Sequence, residues 1–321
     1  MARYILSRVM WGVATAFAAS LAVFLIFHVM PTADPAVLRA GRSASPDEID
    51  RIRDAMGLDE PIFVQYWLYL KGLVLHFDLG YSYAYRAPVN EVIGARLPAT
   101  AYLVIGSAVL WLVVGIPIGV ISALRRGSVA DRATMVAALV LISAPVFWLG
   151  LVALYLFAQD TGVLWPRLPG VGAYAEAGSA WGRVGALLLP WMVMAAASAA
   201  IYARYMRSSL LETYSADYVR TARAKGLSER RVVGRHAMRG AMVPVVTLLG
   251  LDIGMLLAGN AILVETVFNL PGVGRLVSTS IERADLAVIQ GVVLVGALFI
   301  IACNLVVDLV YAWLDPRVRY R

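Results

Sequence analysis

Two carboxylates of this sequence lie where a charge is costly, within or beside a long apolar stretch. Asp252 is near the middle of the apolar run at about 241–264, and Glu265 follows that run directly. Ionisable residues in such surroundings mark functional sites by default. A carboxylate there binds an amino group of a ligand, or it has an internal partner such as a hydrogen-bonded hydroxyl or a cation on a second chain.

The patterns of a metal site or of a membrane-embedded enzyme do not occur in the sequence. H-E-x-x-H is missing, and Asp252 and Asp308 stand on different apolar stretches without a neighbouring histidine. The remaining metal-ligand candidates are far apart, namely His28, His76, His236 and Cys303. We therefore predict no catalytic residue and no metal site in this chain.

The composition requires a membrane. Hydrophobic residues make up 60% of the 321 residues and charged residues only 15%, and the mean hydropathy is +0.74. A soluble domain is roughly 45–50% apolar and about 25% charged. Disordered, coiled-coil, collagen-like and disulfide-scaffold classes are excluded, and a polytopic membrane protein is predicted.

Six apolar runs are long enough to cross a bilayer, which takes about 20 residues. They lie at about 11–30, 99–124, 133–157, 184–205, 241–264 and 287–313. The predicted fold is all-α. The first run could instead be a signal peptide, but it is longer than the usual 7–15-residue apolar region, so we expect an uncleaved span.

Loop charge predicts the orientation. Outside the long loop 31–98, 17 Lys and Arg residues lie on the side of both termini and 4 on the other side. Because short cytoplasmic loops are rich in Lys and Arg, both termini are predicted to be cytoplasmic. The net charge of +7 is explained in this way, and no nucleic-acid partner is expected.

The long outer loop contains two predicted helices. Ser45 and Pro46 suit the start of the first helix, and Gly57 suits its end. The stretch 63–77 is apolar and aromatic but short, and it contains Lys71, so an interfacial helix is predicted.

The inner loop at about 206–240 is basic and patterned. A helix over 215–225 is predicted to end at Gly226, in a left-handed conformation, and Ser228 is predicted to cap a second short helix. A DNA-binding helix-turn-helix, a plain basic loop that orients the protein, and a docking element for a cytoplasmic partner are the three interpretations. Capped helices around a glycine favour docking.

The stretch 218–227, YVRTARAKGL, resembles the cytoplasmic signature loop of binding-protein-dependent ABC importer permeases, written EAA-x-x-x-G. Gly226 fits the glycine and Ala222 the second alanine, while Arg220 and Thr221 replace the glutamate and first alanine. This variant is similar to the dipeptide/oligopeptide/nickel branch. The Ile-x-Leu-Pro tail typical of other branches is missing in that register, which weakens a direct transfer from sugar permeases.

The resemblance extends over nearly the whole chain. Further similar motifs lie at 34–36, 57–66, 78–82, 96–100, 264–274 and 308–320. The long first outer loop resembles the permease subunit that usually precedes its partner, the B-type subunit.

The resemblance implies a type I ABC importer permease fold in the cytoplasmic membrane of a bacterium or archaeon. Residues 1–98 would form the first span with its extracytoplasmic loop, and 99–321 a five-helix permease core. The implied partners, besides the lipid bilayer, are a second permease subunit, two ATP-binding subunits and an extracytoplasmic substrate-binding protein. No G-x-x-x-x-G-K-[ST] loop occurs, so ATP and Mg are expected on the ATPase subunits and this chain is expected not to be an enzyme.

The implied function is import of di- or oligopeptides, with nickel or glutathione as alternative substrates. An ion-coupled secondary transporter is the alternative class; it usually needs broken helices in an internal repeat, and no repeat is evident. In the permease interpretation Asp252 lines the path, or has an internal partner. Glu265 acts at a gate or contacts the binding protein, or simply ends its span in water.

The resemblance also implies an ATPase-coupling loop. Its predicted members are Tyr218, Arg220, Thr221, Ala222, Arg223, Ala224, Lys225 and Gly226. Tyr218, Ala222 and Ala224 are expected at contact or close-approach positions. Arg220, Arg223 and Lys225 are expected to supply charge complementary to an ATPase groove.

Overall fold

A computed structural model describes residues 2–29, 36–37, 45–55, 57 and 59–314. Residues 34–35 and 315–320 of the quoted motifs lie outside the described residues. The described chain is almost entirely helical, as predicted, with one two-stranded hairpin. The elements are α1 (Ala2–Phe24), α2 (Pro46–Ala55), α3 (Ile62–His76), β1 (Tyr81–Ser82), β2 (Ala87–Pro88), α4 (Val89–Leu124), α5 (Val129–Ser143), α6 (Val146–Phe157), α7 (Ala173–Glu176), α8 (Ala180–Tyr214), α9 (Asp217–Ala224), α10 (Glu229–Ala258), α11 (Ile262–Val267), α12 (Val273–Glu282) and α13 (Leu286–Leu314).

Among the described residues, five helices are long and apolar enough to cross a membrane, and the third of the six predicted spans is a bent pair of helices. Helices α5 and α6 meet at an angle of 103°. The bend follows from Pro145, which has no N–H to donate and disfavours helical geometry at Ala144. Ala144 is extended there, with φ −81° and ψ 128°. The six-span prediction is confirmed when the pair counts as one span, but its third member is not one straight helix.

The centre of the molecule is the contact between α4 and α8. Gly115 of α4 lies so close to α8 that an added Cβ would sit 2.7 Å from the Ala199 carbonyl oxygen. Small residues permit such close approach of membrane helices. Trp111 and Tyr202 are fully buried in the same contact, with ring centroids 5.7 Å apart.

The outer loop contains both predicted helices, α2 and α3. Helix α2 begins at Pro46 as predicted, and Gly57 has a positive φ of +63° beyond its end. Helix α3 lies against α1, where Tyr66 Oη is 2.9 Å from Ser20 Oγ. Whether α3 lies in the membrane interface stays a prediction.

The ends of the fourth and fifth spans differ from the prediction. Helix α8 continues to Tyr214, so the first nine residues of the predicted inner loop are helical. The second short helix predicted after Ser228 is the beginning of α10, which continues into the fifth span. The helix of that span ends in a π-helical turn over Leu256–Asn260, and α11 follows from Ile262, so the predicted end near 264 falls within α11.

Candidate functional site

The predicted coupling loop is a short helix between two long ones. Helix α9 lies between the end of α8 at Tyr214 and the start of α10 at Glu229. A turn separates α8 from α9, closed by hydrogen bonds from Ser215 N to Glu212 O (3.2 Å) and from Ala216 N to Thr213 O (3.1 Å). Helix α9 is therefore joined to both neighbouring helices by connections of a few residues.

Gly226 ends α9 in the predicted left-handed conformation, with φ +78°. Its N–H donates to Arg223 O (2.8 Å), and the N–H of Leu227 donates to Ala222 O (3.4 Å). This pair of bonds is the Schellman motif, which turns the chain sharply and satisfies the last helical carbonyls. The prediction for Gly226 is confirmed.

Ser228 takes the N-cap position of α10, but its side chain makes no capping hydrogen bond. Its carbonyl oxygen instead accepts from Arg231 N and Val232 N, both at 2.9 Å. The predicted side-chain cap is therefore wrong, because the backbone alone begins this helix.

One face of α9 is packed into the chain. Val219 is fully buried and Ala222 is 5% exposed, in a cluster with Met206 of α8 and with Val232 and Ala237 of α10. Of the two uses predicted for Ala222, contact with a partner or close approach of helices, the structure favours close approach.

The opposite face of α9 is open. The exposed members of the predicted loop are Tyr218, Arg220, Thr221, Ala224, Lys225 and Gly226. Arg220 forms a loose ion pair, 3.6 Å from Asp217, and both side chains are largely in solvent. Tyr218 is half exposed, and its hydroxyl lies over Gly240. The surface offers cations and a tyrosine to a partner.

Arg223 has a partner within the chain, and its predicted contribution of charge to an ATPase stays a prediction. Its Nε donates to Glu229 Oε1 at 2.8 Å, and its guanidinium lies 4.0 Å from the ring centroid of Tyr214. Tyr214 Oη donates to the second oxygen of Glu229. The Glu229 carboxylate raises the pKa of Arg223. The three side chains join the end of α8, the coupling helix and the start of α10.

Asp252 has an internal partner. Tyr202 Oη donates to Asp252 Oδ2 at 2.7 Å, and Asp252 itself is half-buried on α10. This is the hydrogen-bonded hydroxyl that the sequence left open as an alternative. A role of Asp252 in the path stays a prediction.

Glu265 is fully buried on α11, so the alternative that it ends its span in water is wrong. Thr100 Oγ1 of α4 donates to Glu265 Oε1 (2.6 Å), and Arg275 N at the start of α12 donates to Oε2 (2.9 Å). Val273 N donates in turn to Thr100 Oγ1 (2.8 Å). Burial raises the pKa of the Glu265 carboxyl. We name Glu265, Thr100 and the residues 272–275 the outer latch.

Gly272 belongs to the outer latch because of its size. A Cβ added there would fall on the Glu265 carboxylate. The latch thus ties α4, α11 and α12 together through one carboxylate, a hydroxyl and the first N–H groups of α12, where negative charge is favoured.

A buried carboxylate that forms an ion pair escaped the sequence interpretation. Asp131, 3% exposed at the start of α5, accepts from Arg207 of α8 through both oxygens, at 2.7 and 2.9 Å. Ser122 Oγ and Gly127 N (2.9 Å) donate to the same carboxylate. The pair fastens the turn between α4 and α5 to α8. In the sequence, this pair was indicated by two opposite charges next to predicted spans: Asp131 just before 133–157 and Arg207 just after 184–205.

The comparisons with known proteins cover the chain from end to end. The family described as "Binding-protein-dependent transport system inner membrane component" matches residues 115–320. Its N-terminal counterpart, "Binding-prot-dependent transport system membrane comp, N-term", matches residues 1–104. Both matches agree with the resemblance stated on the signature loop.

Curated relatives are similar over their full length. The glutathione transport system permease protein GsiC of Escherichia coli O6:H1 is 42% identical, that of E. coli K12 is 41% identical, and that of Salmonella choleraesuis is 42% identical. Each alignment covers 321 residues, 100% of both chains.

These matches fit the membrane-spanning helices and place the protein in the bacterial inner membrane as a multi-pass component. The chain belongs to the binding-protein-dependent transport system inner membrane components, as an ABC importer permease of the dipeptide/oligopeptide family.

Proposed function

We propose that this permease imports glutathione, and that other short peptides are its broader substrate class. The relatives that carry the name glutathione transport permease align with every residue of the chain, which supports this substrate over nickel. Glutathione is itself a tripeptide, so the proposal narrows the peptide prediction rather than replacing it.

The proposed complex contains a second permease, two ATP-binding subunits and an extracytoplasmic binding protein. ATP and Mg bind to the ATPase subunits, and this chain forms half of the path without catalysing a reaction. Both termini lie in the cytoplasm, because the basic residues concentrate on that side. The exposed face of α9 then points to the ATPase subunits.

The packing of α9 against its neighbouring helices is the observation that supports this mechanism. Its buried face is packed on α8 and α10 through Val219 and Ala222, while its cationic face is exposed. A push from a closing ATPase pair on that face displaces the start of α10, to which α9 is joined. Asp252 lies 23 residues after Glu229 on α10, about 35 Å at 1.5 Å per residue, so motion of the loop reaches the middle of the span.

Reconstituted vesicles test the function. The assembled importer, with ATP inside and binding protein outside, should accumulate labelled glutathione, and excess unlabelled glutathione should compete better than a dipeptide or nickel. If the vesicles accumulate a dipeptide and glutathione does not inhibit that accumulation, the proposal that glutathione is the substrate is wrong. Uptake that follows an ion gradient without ATP would contradict the class.

A further inference from the structure

A groove between α5 and α8 has the composition of a site for an amphiphile. Its volume is about 640 Å³, and it is lined by Met135 and Ile142 of α5 and by Ile201, Arg204, Tyr205, Arg207 and Ser208 of α8. The transport mechanism above uses none of these side chains. A volume of 300–1,000 Å³ is typical of small-molecule sites.

The charge of the groove is carried by Arg204. Asp131 neutralises Arg207 through two hydrogen bonds. Within the part of the chain that the structure describes, no hydrogen bond or ion pair engages Arg204, Tyr205 or Ser208. The lining contains one uncompensated cation, two hydroxyl donors and no carboxylate, which favours an anion as ligand.

The polarity of the groove changes along the helices. Because Asp131 pairs with Arg207, the start of α5 is level with the inner part of α8, and the two helices run in opposite directions. Ile142 and Ile201 therefore lie towards the bilayer centre, and Arg204 and Ser208 towards the inner surface. The predicted span 184–205 ends at this level, which is the depth of the lipid headgroups.

Exposed apolar side chains of α5 continue the apolar surface beyond the groove. Val136, Leu139 and Val140 of α5 are 55–64% exposed and continue the surface next to the groove. We propose that this groove binds an anionic phospholipid of the inner leaflet, with the phosphate at Arg204, Tyr205 and Ser208 and an acyl chain along Met135, Ile142 and Ile201. Basic clefts between membrane helices on the cytoplasmic side are suited to such headgroups.

The test measures lipid retention by the assembled importer after extraction from vesicles made of equal parts of phosphatidylglycerol and phosphatidylcholine. Wild type should retain phosphatidylglycerol in excess. Arg204→Gln should lower that excess about fivefold, the effect of one cation near an anionic surface. Arg132→Gln is the matched control, because Arg132 is exposed on α5 outside the groove and should change little.

Two further variants distinguish the possible occupants of the groove: an anionic lipid, any lipid, or the second permease. Met135→Trp fills the groove and should reduce retention of both lipids, whereas Arg204→Gln acts on the anionic lipid alone. Equal phosphatidylglycerol excess in wild type and Arg204→Gln overturns the proposal. A crosslink between the second permease and Ser208→Cys, made in a Cys303→Ala background, also overturns the proposal, because a subunit would then cover the groove. Glutathione uptake is a separate measurement, so its failure leaves this result interpretable.

Discussion

The inner loop and the outer latch both join helices through a carboxylate, but in different surroundings. Glu229 and Arg223 meet at the surface of the protein, with side chains 59% and 32% exposed. Glu265 and Thr100 meet with no exposure at all. An exposed ion pair contributes little to stability because water competes for it, whereas a buried acceptor that loses its donor costs about 1–3 kcal/mol. The Arg223–Glu229 pair is therefore expected to break at little cost in free energy, and the bonds of the outer latch at a larger cost.

Gly272→Val should give the largest effect, because its side chain must occupy the space of the Glu265 carboxylate. We expect a loss of roughly 3 kcal/mol in unfolding free energy from overpacking and a displaced buried charge. Thermal unfolding in detergent measures it. Gly94→Ala is the control, since no atom lies within 4 Å of a Cβ there. An unchanged melting temperature for Gly272→Val would mean that the latch is loose.

Thr100→Val keeps the shape of the latch and removes its hydroxyl. Glu265 Oε1 then loses a donor and Val273 N loses an acceptor, both buried. The expected loss is about 2 kcal/mol. Thr100→Ser, which keeps the hydroxyl, should behave like wild type in the same unfolding measurement. Equal losses for Val and Ser would assign the effect to packing instead of hydrogen bonding.

How much the sequence could predict differed between the two regions. The turn at Gly226 was predictable because a helix end depends on its own few residues. The burial of Glu265 was not, since its donor Thr100 is 165 residues away in sequence. The charge of Arg223 was visible in the sequence, but its bond to Glu229 was not, because that bond depends on the direction of the turn at Gly226. The spans followed from length and apolarity. The bend at Pro145 did not, because membrane helices also tolerate proline without a break, as Pro190 of α8 shows.

Gly226→Val should leave the protein in the membrane but abolish transport. The left-handed conformation costs a non-glycine residue about 1–2 kcal/mol, more when it is β-branched. No neighbouring atom would meet the new Cβ, so the strain is in the backbone alone. Gly226→Asn is the matched variant, because asparagine tolerates this conformation, and it should keep most of the uptake. Normal glutathione uptake by Gly226→Val would sink the docking proposal.

Of these variants, Arg223→Gln should change the melting temperature least, while it should lower the uptake per ATP hydrolysed. The variant loses the bond to Glu229 and the stacking on Tyr214, all at the surface, so its melting temperature should stay near that of wild type. Helix α9 is then held to α10 by the packing of Val219 and Ala222 alone, and we expect uptake per ATP hydrolysed to fall by about half. The charge exchange Arg223→Glu with Glu229→Arg should restore part of that ratio. A fall in melting temperature as large as that of Thr100→Val would instead show that the Arg223–Glu229 pair stabilises the protein as much as the outer latch does. The proposed difference between the two regions would then be wrong.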